Sequence, residues 1–65
     1  MFPNLDAEQA RKQHTNEDVA KILGLSRKTY ENKKKYGNFK VTEINTLMVT
    51  YNSTYEYLFS SDKIA

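Results

Sequence analysis

The sequence predicts an all-α fold, one small domain of five short helices, and three observations carry that prediction. Val41, Ile44, Leu47, Met48 and Tyr51 recur at the spacing of one helix face. Gly24 and Gly37, with Thr15, Ser26 and Ser53, fall where helices would stop and start. Only Tyr55, Tyr57 and Phe59 alternate as a strand would, and a short helix is the preferred reading there.

Taken in order, Pro3 precedes or opens a first helix over about 5–13, with Asn4 as its candidate N-cap. Leu5, Ala7 and Ala10 give it a modest apolar side, and His14 interrupts it. Thr15 is a good cap for a second helix over 16–23, with Glu17 and Asp18 in the first turn, where negative charge suits the helix dipole. Asp18 stands in the N3 place of a capping box. Gly24 ends that helix in the left-handed conformation, and Leu25 plugs the turn. Ser26 caps a third helix over 27–35, almost wholly polar, with Tyr30 its one clear core residue. The stem of Lys33 or Lys34 is expected to lie over the core edge. Residues 36–40 form a loop with Phe39 turned inward. The fourth helix covers 41–51, Ser53 caps a fifth over 54–59, and 60–65 is a frayed tail.

Size and composition exclude several classes of function. The 65 residues begin with Met and read as a single complete domain, residues 1–65. A domain of this size buries only about 60% of its unfolded surface, which leaves hardly room for an enclosed catalytic pocket. There is no cysteine, hence no disulfide framework or thiolate metal site. His14 is the single histidine, without a companion for a metal or catalytic pair. Glu17 and Asp18 are adjacent on a helix and diverge, so they do not form a working carboxylate pair. No nucleophile–base set is visible, and an enzyme is not expected. No apolar run approaches the roughly 20 residues needed to span a membrane, and the N-terminus lacks the apolar core of a signal peptide. A cytoplasmic protein without cofactor, membrane partner or small-molecule ligand is the expectation.

The net charge of +2 conceals an asymmetry. Between Arg27 and Lys40 stand six basic residues and the single acid Glu31, a window of +5, while the other 51 residues carry four bases and seven acids, or −3. Such a division suits either one face made for a polyanion or a solvated charged helix.

Residues 15–32 carry the functional signal: a capped helix, a glycine turn and a second capped helix that is polar and basic. Here Thr15-Asn16-Glu17-Asp18-Val19-Ala20, then Leu23-Gly24-Leu25-Ser26, then Thr29-Tyr30 resemble the pattern of the Xre-type family of phage repressor and Cro-like proteins. The resemblance extends over about residues 4–59. It implies a compact five-helix, lambda repressor-like DNA-binding domain, with a helix-turn-helix formed by the second and third helices. In that motif the second helix enters the major groove.

By the same resemblance, Arg27, Lys28 and Asn32 stand where the family reads bases. Arg and Lys can donate to guanine O6 and N7, and Asn can pair with adenine N6 and N7. Asn16 stands where a Gln that contacts phosphate or supports a base contact is usual, and Thr29 where the DNA backbone is often touched. Ser26 is first an N-cap, with a phosphate contact in addition. Lys34, Lys35, Asn38 and Lys40, at or after the end of the third helix, suit phosphates, which position a protein without reading sequence. Glu31 either accepts from a cytosine amine, supports Arg27 or Lys28, or is solvated.

Two residues depart from the family pattern. Asn16 is one methylene shorter than Gln. Lys33 replaces a second apolar anchor of the third helix, so that helix is expected to dock loosely or to use Tyr36 instead. The implied function is transcriptional regulation by promoter occlusion at a double-stranded DNA operator, by a small phage or prophage repressor or Cro-like protein in the bacterial cytoplasm. A homodimer on DNA is expected, with Tyr51, Tyr55, Tyr57, Phe59 and Ile64 either core or dimer patch. The alternative is an antirepressor-type protein-interaction module on the same fold. RNA binding has little support, because no aromatic platform interleaves the basic residues.

Overall fold

Local chemistry fixes where each helix begins and ends. The computed structural model describes residues 2–60. Among them lie five α-helices and no strand: α1 Pro3–Arg11, α2 Asn16–Leu23, α3 Arg27–Tyr36, α4 Val41–Tyr51 and α5 Tyr55–Leu58. The expected all-α class and the number of helices hold. Of the expected tail only Ser60 is described, and residues 61–65, with Ile64, lie outside the described residues.

The caps explain the boundaries. Thr15 accepts the Asp18 N–H at 3.1 Å while the Asp18 carboxylate accepts the Thr15 N–H at 2.9 Å, a complete capping box. Ser26 accepts the Thr29 N–H at 3.2 Å, and Thr54 the Tyr57 N–H at 3.2 Å. At the other end of α2, Gly24 takes φ +73°, and the Leu25 N–H reaches the Ala20 carbonyl at 2.8 Å. This is the Schellman closure of an α-helix. Asn52 ends α4 in the same way at φ 48°, with Ser53 donating to the Met48 carbonyl at 3.0 Å. Gly37 closes α3 at φ +74°, a conformation that favours glycine, and a Cβ there would also crowd the Phe2 ring at 3.3 Å.

Several boundaries and faces differ from the sequence reading. Helix α1 starts two residues earlier, because Pro3 takes its first position and its fixed φ suits that place. Asn4 is therefore inside the helix and donates to the Tyr57 carbonyl at 2.9 Å instead of capping. Gln13 is not helical: it turns left-handed at φ 60°, and His14 donates to the Gln9 carbonyl at 2.9 Å. Thr54, not Ser53, caps α5. Ala7 and Ala10 are exposed, and α1 buries Leu5, Glu8 and Gln9. Val41 is 72% exposed, since the first residue of α4 lies beyond the core edge.

The core is Phe2, Leu5, Val19, Ala20, Tyr30, Leu47, Tyr51 and Leu58, with Leu23, Leu25, Phe39, Met48 and Phe59 packed against it. Phe2, Phe39 and Phe59 meet with ring centroids 5.3–6.3 Å apart, and Tyr30 approaches Phe39 edge-on at 6.1 Å. Tyr36 is 69% exposed and anchors nothing. Polar contacts complete the docking of α3. The Lys33 ammonium lies 3.3 Å from Glu43 and donates to the Asn38 carbonyl at 3.2 Å. Lys34 pairs with Asp6, donates to Asn16 at 3.1 Å, and sits 5.2 Å from the centre of the Tyr30 ring. Their side chains are only 12% and 15% exposed.

The three consecutive lysines therefore differ in role. Lys33→Ala strands the buried Glu43 carboxylate, and loss of one member of a buried pair costs about 3 kcal/mol. Lys34→Ala is expected to destabilise as well, by less, because Asp6 is half exposed and keeps its hydration. Lys35→Ala, on the outer face, should stay within about 0.5 kcal/mol of wild type. Urea unfolding followed by circular dichroism ranks the three, and equal effects at all three positions would contradict this docking.

Candidate nucleic-acid interface

The candidate surface is the outward half of α3. At 3.6 residues per turn, positions 27, 28, 31, 32 and 35 share one sector of a helix, and 30, 33 and 34 share the adjoining one, with 34 at the boundary beside 27. The burial follows this division. Tyr30 is fully buried, Lys33 and Lys34 are half-buried, and Arg27, Lys28, Asn32 and Lys35 are exposed. The turn at 24–26, closed by Gly24 and opened by Ser26, sets α3 against α2.

Of the ten expected contact residues, Arg27, Lys28, Asn32, Ser26, Thr29, Lys35, Asn38 and Lys40 are exposed, while Asn16 and Lys34 are not. The Ser26 hydroxyl donates to the Thr29 hydroxyl at 2.8 Å, so the cap ties the two residues together. Lys35 lies over its neighbour Tyr36, 5.4 Å from the ring centre. Lys28, Lys35 and Lys40 make no ion pair among the described residues. Lys33, Lys34 and Arg27 are each paired with an acid. The +5 read along the sequence thus includes three cations already facing Glu43, Asp6 and Glu31.

Behind this face runs a connected set of polar contacts. Tyr30 donates to the Gln9 side-chain oxygen Oε1 at 2.8 Å, and Gln9 Nε2 donates to Asn16 Oδ1 at 2.9 Å. Asn16 Nδ2 donates to Glu31 Oε2 at 3.1 Å, and Arg27 Nε donates to the same oxygen at 3.0 Å. The Asn16 bond first, and then the Arg27 bond, hold the Glu31 carboxyl below its ordinary value, so it is ionised at neutral pH. Between the first turns of α2 and α3 lies an open cleft lined by Thr15, Asn16, Glu17, Arg27 and Glu31.

Comparison of the chain with models of known families, with characterised proteins and with solved structures finds no match. The geometry of α2 and α3 and their side chains is therefore the basis for a functional reading. Among the described residues no group of three or more His, Cys, Asp and Glu is placed to hold a metal ion. No described helix is long and apolar enough to cross a membrane.

Sequence reasoning missed Asp6, Gln9 and Glu43 as partners of α3. Helical spacing was the available signal: once Tyr30 is the anchor, 33 and 34 must face the same way and need acids opposite them. Glu31 supports Arg27, one of the roles open to it. His14 meets the Tyr51 hydroxyl at 2.9 Å. Tyr51 is buried and Phe59 half-buried, so of the aromatic patch only Tyr55 and Tyr57 remain exposed among the described residues.

Burial raises the Tyr30 phenol, and burial followed by the charges of Asp18 and Glu8 pushes Tyr51 up from 10.0 to about 12. Both tyrosines hold their protons more tightly folded than unfolded. Their contribution to stability is complete below the unfolded value of 10.0 and is lost as pH rises through the folded values. Stability is therefore expected to fall with rising pH from about 10. The decline should be shallower in Tyr30→Phe, which itself loses about 1 kcal/mol with its hydrogen bond to Gln9. Urea titrations at stepped alkaline pH read both slopes, and an equally steep decline in the variant would remove Tyr30 from the alkaline transition.

Proposed function

We propose that the chain is a sequence-specific, double-stranded DNA-binding transcriptional regulator of the helix-turn-helix type. In sequence pattern it resembles the small repressor and Cro-like proteins of the Xre-type family, and it would act by occluding a promoter. The observation that carries the reading is the division of α3. One side is committed to Tyr30, Lys33 and Lys34, and the other presents Arg27, Lys28, Asn32 and Lys35 to solvent.

A helix docked in this way can enter a major groove with its first turns against base edges. Arg27 is the donor for guanine, Lys28 can serve either a base or a phosphate, and Asn32 has the donor and acceptor for adenine. Lys35 and Lys40, with Ser26, Thr29 and Asn38, suit phosphates on either side. Asn16 and Lys34 belong to the support behind the helix, because their polar atoms are already engaged with Gln9, Glu31 and Asp6. In this reading the protein is not an enzyme, needs no cofactor and works in the cytoplasm. One module of this size buries only about 600–1,000 Å² on DNA, so two copies on a two-fold operator are proposed.

The test is a mobility shift with the DNA upstream of the protein's own gene against a scrambled duplex, across a salt series. Sequence-dependent binding is expected. If Lys28, Lys35 and Lys40 each neutralise one phosphate, the slope of log K against log salt on scrambled DNA is about −3 per protomer. Arg27→Ala and Asn32→Ala should each remove about 1–3 kcal/mol of discrimination, with the fold intact, since both residues are exposed. Binding that is absent, or equal on both duplexes and untouched by the substitutions, would falsify the proposal and favour a protein partner.

A further inference from the structure

The one acid on the outward face of α3 is held from two directions. Glu31 lies one turn after Arg27, and its Oε2 takes the Arg27 Nε–H at 3.0 Å. The same oxygen takes the Asn16 amide from the start of α2 at 3.1 Å. Asn16 is itself fixed through its Oδ1, which accepts from Gln9 at 2.9 Å and from Lys34 at 3.1 Å. Lys34 closes the chain on Asp6 of α1. Arg27 is thus tied, through Glu31, Asn16 and Lys34, to the body of the domain. A surface arginine without such a tether samples many rotamers and meets any nearby phosphate as a loose charge.

We propose that Glu31 is a positioning and specificity-determining residue: it holds Arg27 by Nε for one base contact and repels phosphates that would otherwise recruit that arginine. The inference rests on the DNA-binding reading above and deepens it. Two physical effects act in the same direction. A side-on grip at Nε fixes the guanidinium plane, and a fixed plane is what a bidentate contact to a guanine edge requires. An ionised carboxylate on the interface also disfavours close approach of a phosphate, so sequence-independent binding weakens while a base contact made by Arg27 survives. Glu31 does not need to touch a base for this. Its effect passes through Arg27, which separates it from an acid that accepts directly from cytosine.

Glu31→Gln keeps the shape and a hydrogen-bond acceptor while removing the charge, and a thermal melt checks that the fold is retained. The assay uses duplexes that the wild type enriches from a random-sequence pool, with a scrambled duplex as reference. Wild type, Glu31→Gln, Arg27→Ala and the double variant are compared. Glu31→Gln is expected to bind the scrambled duplex more tightly, with a salt slope steeper by about 0.9, as one more phosphate is neutralised. Its preference for the enriched duplex should drop about tenfold or more. In the Arg27→Ala background the same substitution should leave the preference unchanged. An NMR signal for the Arg27 Nε–H, shifted by its charge-assisted bond in wild type and moved toward the free-arginine position in Glu31→Gln, is expected without any DNA present.

A pool from which the wild type enriches nothing overturns the DNA-binding reading and this inference with it. Enrichment by the wild type together with equal preference in Glu31→Gln overturns the role of Glu31 alone. A loss of preference that persists when Arg27 is absent also overturns it, because Glu31 would then act on the base directly.

Discussion

The seating of α3 on one tyrosine and two lysines is the constraint from which the rest of this surface follows. A ten-residue helix whose single fully buried side chain is Tyr30 cannot be held by hydrophobic burial alone. Full burial of one large side chain yields about 1.5–3 kcal/mol, and a helix end free to pivot about one anchor would have no fixed outer face. Lys33 and Lys34 supply the missing fixation. They stand three and four positions after Tyr30, so their ammonium groups reach α4 and α1 respectively. With Tyr30 also bonded to Gln9, α3 is held toward three different elements. Arg27, Lys28, Asn32 and Lys35 are outward because of that seating, not because of their own polarity.

Much of the architecture was legible because its determinants are local. Thr15, Gly24 and Ser26 act within a few residues of themselves, and the bounds of α2 and the start of α3 follow from them directly. Where the reading failed, the decisive interaction was distant in sequence. Glu8 and Gln9 lie outside the apolar side of α1 read from Leu5, Ala7 and Ala10, yet they face Tyr57 and Tyr30, 49 and 21 positions away. Ala7 and Ala10 looked like core by hydropathy, but alanine is indifferent to exposure on a helix. Val41 was assigned to the core by the spacing of its helix, and it escapes because the core ends before that first position. The lysine run was ambiguous for another reason. Charge alone has no direction, and only the helical phase set by Tyr30 tells which lysines turn inward.

That phase also changes the electrostatics of the surface. A sequence count gives the window from Arg27 to Lys40 six cations against one acid. Folded, the acids of α1 and α4 answer two of those cations from behind, and Glu31 answers a third on the face itself. Lys28, Lys35 and Lys40 make no ion pair among the described residues, and they flank a line of groups able to make directional hydrogen bonds. Fewer free charges mean a weaker sequence-independent attraction and a larger share for base contacts. Under the proposed DNA-binding role, the ion pairs that seat the helix would shift its binding from general attraction toward discrimination.

The choice of lysines over apolar anchors has a cost that a small domain feels. Buried ion pairs lose hydration, and hydrophobic replacements of similar volume often match or exceed them in stability. What the lysines add is direction. An apolar side chain packs at many angles, whereas the Lys33 ammonium must reach Glu43 and the Asn38 carbonyl, and that of Lys34 must reach Asp6, Asn16 and the Tyr30 ring. These requirements fix the rotation of α3 about its own axis as well as its distance from the core. A rotation of one residue step, 100° for an α-helix, in the direction that turns Thr29 onto the outer face would carry Arg27 and Glu31 off it. If α3 meets a base-pair edge, as proposed, a fixed rotation matters more than the last increment of stability.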